Sequence, residues 1–341
     1  MSRVKGGLPY PCFDRARNDR FGKQFSKEIR TVVLFSGGLD SILATKILQS
    51  QNIYVEGLFF ASLFWKSEGA KTAAERCGVK LNIIKLGDDY LKIIKKPRFG
   101  RGKGMNPCLD CRIFMLKKAK EFIRKKKFDF VATGEVLGQR PLTQNKKALE
   151  FTERTSGLSG ALLRPLSAKL LTPTKLEKER RILREKFFDI QGRSRQRQMD
   201  MANRWGIREY PSPAGGCLLT DLEFSKRIRE LFEKHPRCSA KDVELLKLGR
   251  HFWIDKTKII VGRNKEENER LEKLADKEDT LIELKDFTGP LVLIRGRTTK
   301  KILEKAGFLT ANYSTKTKRL SGVKIEYWRK DAKRKKIIIV K

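Results

Sequence analysis

Histidine is nearly missing from this chain, with only His235 and His251 in 341 residues. Both lie far from the glycine-rich turn discussed below, which argues against a Ser-His-Asp enzyme and against a His-rich zinc site. Long apolar runs are missing too. No stretch of about 18 apolar residues exists, so no transmembrane helix is expected. The opening segment, MSRVKGGLPYPCFDRARNDRFGK, has no apolar centre of the kind a secretory signal needs. The expected compartment is therefore the cytoplasm, with no membrane partner. Acidic side chains are scarce: 40 Asp and Glu face 77 Lys and Arg, a net charge of +37. A Lys/Glu-rich thermophile surface keeps the two signs roughly balanced, whereas a field of one sign attracts polyanions and speeds their encounter. Nucleic acid is the leading partner. An anionic membrane surface is the competitor, and no amphipathic anchor stands out for it.

What is present divides the chain. Its length suggests two or three domains at about 100–200 residues each, and the 39% hydrophobic fraction is enough for ordinary cores. Residues 1–30 read as a basic, irregular arm. From 31 to about 225 the pattern is α/β. TVVLF is a buried strand, Ser41 to Gln51 a helix, IYVEGLFFA a second strand, Glu68–Cys77 a helix and LNIIKL a third strand. The basic, glycine-rich loop KKPRFGRGKGMNPC leads to a helix over Leu109–Lys126 and the strand FDFVATG. Strands alternating with helices imply a parallel sheet covered on both faces. Residues 135–175 read as loop and extended chain, 184–207 as an Arg- and Gln-rich helix, and LEFSKRIRELFEKH as another helix. Residues 226–341 read as a smaller α+β domain. In it come strand, turn, strand and helix, then two strands around Gly289-Pro290, and a closing hairpin with a basic turn.

The turn SGGLDS, Ser36 to Ser41, follows the first strand and opens the first helix. Glycines there let backbone approach a phosphate, and the amides of the helix start point at the anion. No GxxxxGK motif followed by Ser or Thr is present, and SGGLDS is not GxGxxG, so neither a Walker loop nor a dinucleotide site is supported. Ser36 and Ser41 flank the amides of Gly37 and Gly38, and Asp40 can hold Mg2+ or order the loop. The alternative is an ordinary strand–helix turn with Ser and Asp as caps.

Six cysteines stand at 12, 77, 108, 111, 217 and 238. In a cytosolic chain these are thiols, metal ligands or catalysts rather than structural disulfides. Cys108 and Cys111 have CxxC spacing at a helix start, where the dipole and nearby cations favour thiolate. Cys217 follows about one hundred residues later in SPAGGCLLTD. A zinc site lacks an obvious fourth ligand, a redox pair lacks a thioredoxin-like context, and a three-cysteine 4Fe-4S cluster would keep one iron open. Spacing leaves these three close to even.

Resemblance chooses among them. SGGLDS after a buried strand resembles the PP-loop of the N-type ATP pyrophosphatases, which include GMP, argininosuccinate and asparagine synthetases, tRNA lysidine synthetase and the tRNA thiolases. It implies ATP cleaved between the α and β phosphates, with pyrophosphate gripped by the loop and AMP passed to a carbonyl oxygen. NPCLDCRIFML…FDFVATGE and AGGCLL resemble the cysteine segments of tRNA thiouridine synthetases. Cys111 and Cys217 match the two catalytic cysteines. Cys108 completes the set of thiolases that carry a 4Fe-4S cluster on three cysteines. The alternative is a Cys217 persulfide, with Cys111 closing a disulfide as sulfur leaves. TGEVLGQRPLTQ resembles the segment bordering nucleotide and substrate, which makes Gly134, Gln139 and Arg140 ATP or substrate contacts. LLRPLSAKLLTPT resembles thiolase chains and offers Arg164 and Lys169 for phosphate.

GRHFWIDKTKIIVGRNKEENERL, Gly249 to Leu271, resembles the NFACT-R (DUF814-type) module. Typical 4-thiouridine synthetases carry an upstream THUMP domain, which thirty residues cannot hold. RNA docking is therefore expected on the C-terminal module and the run KDAKRKK, Lys330 to Lys336. The resemblance implies a tRNA sulfurtransferase served by a sulfur donor, either sulfide or a cysteine desulfurase or other persulfide carrier. The rivals are a PP-loop enzyme acting on a small molecule, and an RNA-binding or quality-control protein with a vestigial ATPase domain.

Overall fold

The computed structural model describes residues 28–340 apart from 66–67, 212–215, 318–319, 321 and 333. The basic arm up to residue 27, with Cys12, and the Ser212–Gly215 part of the Cys217 loop lie outside the described residues. The first domain contains β1 (Arg30–Leu34), α1 (Leu39–Gln49), β2 (Tyr54–Ala61), α2 (Glu68–Cys77), β3 (Leu81–Lys85) and α3 (Asp88–Lys95). It continues with α4 (Cys108–Lys126), β4 (Phe130–Thr133), α5 (Lys146–Ser156), β5 (Leu162–Leu163), α6 (Lys175–Lys178), α7 (Gln196–Arg204), α8 (Leu222–Lys234) and α9 (Ala240–Leu245).

All neighbouring strands of the first sheet run parallel, in the order β3-β2-β1-β4-β5. Alternation along β1 explains its two layers. Val33 and Phe35 face a core shared with Leu43 and Ile47 of α1 and Met201 of α7. Val32 and Leu34 face the other core, with Tyr90 of α3, Leu116 of α4 and Ile228 of α8. A sheet buried on both faces therefore reads as a continuous apolar run. The strand order reverses between β1 and β4, and open α/β sheets bind ligands at the carboxyl ends of such a switch point.

The second domain contains β6 (Arg250–Ile254), β7 (Thr257–Val261), α10 (Lys265–Leu274), β8 (Thr280–Leu284), β9 (Val292–Arg295), α11 (Lys300–Asn312), β10 (Val323–Arg329) and β11 (Lys336–Val340). Its sheet is antiparallel throughout, in the order β11-β10-β8-β9-β7-β6. One face, with Ile259, Ile282 and Ile294, packs on Ile302 and Leu309 of α11. The other, with Ile260, Leu281 and Leu293, packs on Leu271 of α10 and Leu245 of α9. Alpha8 spans residues 225–226, where the composition changes. Its Phe224, Ile228 and Leu231 pack into the core of the parallel sheet, with Val243 and Leu246 behind them.

Two segments differ from the sequence reading. Residues 135–175 are not merely loop and extended chain, because they contain α5. Asn145 caps that helix by accepting from the Ala148 N–H at 2.9 Å, and Ala148, Leu149 and Thr152 bury one face. The apolar stripe is narrow within KKALEFTERTS, which hides it from a hydrophobicity scan. Conversely, 184–207 is α-helical only over Gln196–Arg204. Upstream, the Phe188 and Ile190 amides donate to the carbonyls of Pro165 and Leu166, so that backbone is committed to the segment after β5. Because Asn145 is exposed and its side chain makes the cap bond and one exposed bond, Nδ2 donating to the Pro141 carbonyl at 2.6 Å, Asn145→Ala should cost about 1 kcal/mol in urea or thermal unfolding. An unchanged midpoint would show that α5 is held by packing alone.

Candidate functional site

The chain leaves β1 through Ser36-Gly37-Gly38 and enters α1. Gly37 has a φ of +76°, and a Cβ there would stand 2.8 Å from the Gly69 carbonyl at the start of α2. Glycine is therefore needed for both conformation and space. The Gly38 amide donates to Ser36 Oγ at 3.3 Å, and Ser41 Oγ donates to the Gly38 carbonyl at 2.8 Å. The two hydroxyls are 3.5 Å apart, framing a helix start whose first amides have no intrahelical acceptor. Beta4 ends beside this loop. A Cβ on Gly134 would fall 2.5 Å from the Asp40 carbonyl oxygen, so the carboxyl ends of β1 and β4 meet only because residue 134 has no side chain.

Asp40 Oδ2 accepts from Gln139 Nε2 at 3.0 Å, and Gln198 Nε2 donates to Gln139 Oε1 at 3.4 Å. The other oxygen, Asp40 Oδ1, is buried without a hydrogen-bond partner, and Arg195 Nη2 stands 3.6 Å from it. Ser36, Gly37, Gly38, Asp40, Ser41, Gly134 and Gln139 thus line one crevice. Arg140 is exposed, its carbonyl accepting from the Thr143 and Gln144 amides.

Beside the crevice, Glu135 follows β4 and is 2% exposed. Its Oε1 lies 3.0 Å from Arg112 Nε, and its Oε2 accepts from Arg164 Nε at 3.2 Å and from Thr133 Oγ1 at 3.0 Å. Burial alone would raise this carboxyl. The Arg112 and Arg164 guanidiniums outweigh burial and hold it below its ordinary value. Arg164 is committed in full, giving Nη1 to Glu153 at 2.8 Å and Nη2 to the Leu149 carbonyl at 3.1 Å. It is thus a buried tie rather than a phosphate contact, and Lys169 is exposed.

Arg112 adjoins Cys111, which brings in the thiols. Alpha4 starts at Cys108, placing Cys108 and Cys111 one turn apart. The preceding loop is tied to the Cys217 segment: the Met105 amide donates to the Leu219 carbonyl at 2.9 Å, and Ser225 Oγ donates to the same carbonyl at 2.9 Å. Leu218 N–H donates to the Phe64 carbonyl at 3.0 Å. Tyr90 of α3 donates to Cys111 Sγ at 3.1 Å, and the rings of Phe64, Trp65 and Phe114 surround it at 5.8–6.2 Å. Burial raises the Tyr90 hydroxyl, and charge on Cys111, Cys217 and Cys108 would raise it further, so all three sulfurs lie within its electrostatic reach.

Burial pushes the Cys111 thiol up to about 11, against the Tyr90 hydrogen bond and Arg112. It pushes Cys217 up to about 11 as well, against the Leu219 amide. The sequence reading expected the helix start and nearby cations to favour thiolate. For Cys111, desolvation among aromatic rings overrides them. Cys77, Cys108, Cys111, Cys217 and Cys238 are free thiols.

Two groups implied by the sequence can be tested for fit. For Mg2+ with a polyphosphate, the orphaned Asp40 Oδ1 and the glycine-lined helix start supply a cation ligand and an anion cradle, so the residues fit. For an iron–sulfur cluster, three thiols around one aromatic box are a suitable soft donor set. Among the described residues, however, no three His, Cys, Asp or Glu side chains stand close enough to hold a metal ion. Loading would require the Cys217 segment and α4 to draw together and the thiols to lose protons.

Sequence reasoning missed Tyr90, Arg112, Glu135, Arg195 and Gln198. The Arg/Gln-rich reading of 184–207 contained a signal for the last two. Tyr90 had none, because its partner is 21 residues away in sequence.

Residues 26–169 match the family described as Thiamine biosynthesis protein (ThiI), and residues 249–341 match NFACT protein RNA binding domain. Probable tRNA sulfurtransferases of Thermoanaerobacter sp. (strain X514) and Thermoanaerobacter pseudethanolicus are 30% identical over 148 residues, 40% of this chain and 36% of theirs. The matched part thus spans about a third of those relatives' length. Among solved structures, a 4-thiouridine synthetase–RNA complex with bound ATP matches with a TM-score of 0.39 and 16% identity, over 64% of this chain and 52% of that one. The U34-tRNA thiolase NcsA from Methanococcus maripaludis with its 4Fe-4S cluster matches with a TM-score of 0.31 and 18% identity, over 64% and 70%. At these scores the fold assignment rests on the strand order itself.

Glu135→Gln removes the buried charge between Arg112 and Arg164, of which Arg164 keeps Glu153 as an acidic partner, and should cost about 3–5 kcal/mol of stability at neutral pH. A carboxyl held low in the fold contributes stability above its unfolded value, near 4.5, and loses it as pH falls through the folded value. Urea unfolding of wild type and variant should therefore converge as pH falls from near 4.5 through the lower, folded value of Glu135. A gap that persists there would mean that Glu135 acts through shape.

Proposed function

With residues 26–169 a ThiI-type segment and residues 249–341 an NFACT-type RNA-binding segment of one chain, we propose that the protein is an ATP-dependent tRNA sulfurtransferase. One observation carries this reading. The SGGLDS crevice and the three-thiol box lie along the same carboxyl edge of the parallel sheet, joined through Cys111, Arg112 and Glu135.

The chain's own groups divide the work. The amides of Gly37 and Gly38, with Ser36 and Ser41, hold the β and γ phosphates of ATP, and Asp40 Oδ1 takes the magnesium ion. A uridine carbonyl oxygen attacks the α-phosphorus. The bond from that phosphorus to the bridging oxygen of the β-phosphate breaks, and pyrophosphate stays on the loop. A sulfur nucleophile held among Cys108, Cys111 and Cys217 then adds to the ring carbon. The carbon–oxygen bond breaks, and AMP departs with the former carbonyl oxygen. If present, a 4Fe-4S cluster would be held by those three cysteines and would supply an iron able to bind sulfide. The sulfur source is sulfide or a persulfide carrier such as a cysteine desulfurase. The base must be unstacked to reach this edge.

The net charge of +37 and the C-terminal module support RNA as the substrate. The KDAKRKK run is partly neutralised: Lys335 pairs with Glu283 and Glu326, and Lys330 with Glu272. The rest of that turn and the module surface carry the docking. A cluster-free route, with a Cys217 persulfide and Cys111 closing a disulfide, is favoured by one observation: the described thiols do not stand at metal-ligand spacing. Iron and sulfide analysis after anaerobic purification decides between the two, since colourless, iron-free, active protein removes the cluster.

Mass spectrometry of tRNA nucleosides tests the function itself. A null strain should lose one thiolated uridine. Wild type should restore it, and Asp40→Asn or Cys217→Ser should leave it at background. Normal sulfur content with either variant would sink the proposal.

A further inference from the structure

The rim of the SGGLDS crevice carries two side chains that no motif identifies. Arg195 stands at the start of α7, and Gln198 lies one turn further on. Both are beyond residue 169, where the ThiI-type match ends. Gln198 is 0% exposed, yet its Oε1 has no hydrogen-bond partner, and neither has the buried Arg195 Nε. Asp40 Oδ1 is the third orphan of the same crevice. A buried polar atom without a partner costs about 1–3 kcal/mol, so three together mark a place where a ligand supplies what the protein withholds.

The signs of the three valences define that ligand. Asp40 Oδ1 and Gln198 Oε1 are acceptors, and Arg195 Nε is a donor. A bare anion would meet the Asp40 carboxylate, and a bare cation would meet the Arg195 guanidinium. A metal-chelated polyphosphate satisfies both, with the metal and its water on the acceptors and phosphate oxygens on the guanidinium. At 3.6 Å, the contact between Arg195 Nη2 and Asp40 Oδ1 is longer than a hydrogen bond, so opening it sacrifices little.

We propose that Arg195, which stands beside an Asp40 braced by Gln198 through Gln139, grips the magnesium-bound pyrophosphate end of ATP. The inference rests on the ATP reading above and adds to it the group that recognises the leaving pyrophosphate.

Isothermal titration of the full chain with magnesium pyrophosphate and with AMP, as separate probes, tests it. Arg195→Ala should weaken magnesium pyrophosphate by about tenfold to a hundredfold, the range of a lost charge-assisted hydrogen bond. AMP, which lacks the pyrophosphate, should bind within about twofold of wild type, since only the lost charged contact carries that larger cost. Arg195→Lys should recover part of the loss, because it keeps the charge and loses the fork. Thermal melting of both variants checks that they fold. Equal loss of both probes would reduce Arg195 to a structural role, and unchanged pyrophosphate binding would refute the grip outright. Wild type that binds neither ATP nor magnesium pyrophosphate would remove the ATP reading and this inference with it.

Discussion

A buried carboxylate between two guanidiniums organises this molecule. Glu135 takes Arg112 on one oxygen and Arg164 on the other, and Arg164 passes on to Glu153 and the Leu149 carbonyl. Each of these charges would be costly alone in a site of low dielectric, and together they are stable only in one geometry. That geometry fixes four things at once: the end of β4, the first turn of α4, the body of α5 and the chain after β5. The first turn of α4 carries Cys108 and Cys111, and the end of β4 carries Gly134 against Asp40. The SGGLDS crevice and the three thiols are therefore set in register by one ionic hub. The surrounding apolar layers supply most of the folding free energy but do not specify that register.

The two halves of the site differ in how they are prepared. The crevice is open to its ligand, with glycines where backbone must approach and orphaned polar atoms where a metal and phosphates would sit. The three thiols are half-buried, and burial pushes Cys111 and Cys217 up to about 11, so both are protonated at neutral pH. Sulfur chemistry there needs either a metal to displace the protons or a carrier to deliver sulfur already activated. The second domain, a six-stranded antiparallel sheet with helices on both faces, stands on α8 and α9. Arg295 of β9 reaches Asp242 of α9 at 2.7 Å, so the second domain is anchored to the helices that follow the first sheet by an ion pair as well as by packing.

How much of this could be read from the sequence follows from the range of the interactions. SGGLDS is local: strand, glycines, hydroxyls and acid fall within six residues, and their pattern carries the loop's geometry. The parallel sheet was legible from its buried strands, and the terminal hairpin from its alternation. Alpha5 was hidden because a three-residue apolar stripe among charges resembles a solvent loop until Asn145 is recognised as a cap. Arg164 was read as a phosphate contact because LLRPLSAKLLTPT resembles thiolase chains. Only the fold shows Glu135 and Glu153 consuming it. Tyr90 and Arg195 become functional through partners 21 and 155 positions away, respectively, and no local pattern encodes such pairings.

The central claim is that ATP is spent by passing AMP to a uridine carbonyl at the β1–β4 crevice. A tRNA transcript made from uridine carrying oxygen-18 at both ring carbonyls tests it directly, with sulfide and magnesium ATP present and the AMP analysed by mass spectrometry. The account predicts one oxygen-18 in the phosphate of AMP for each uridine thiolated, and none in pyrophosphate. Thiolated product accompanied by unlabelled AMP would contradict it.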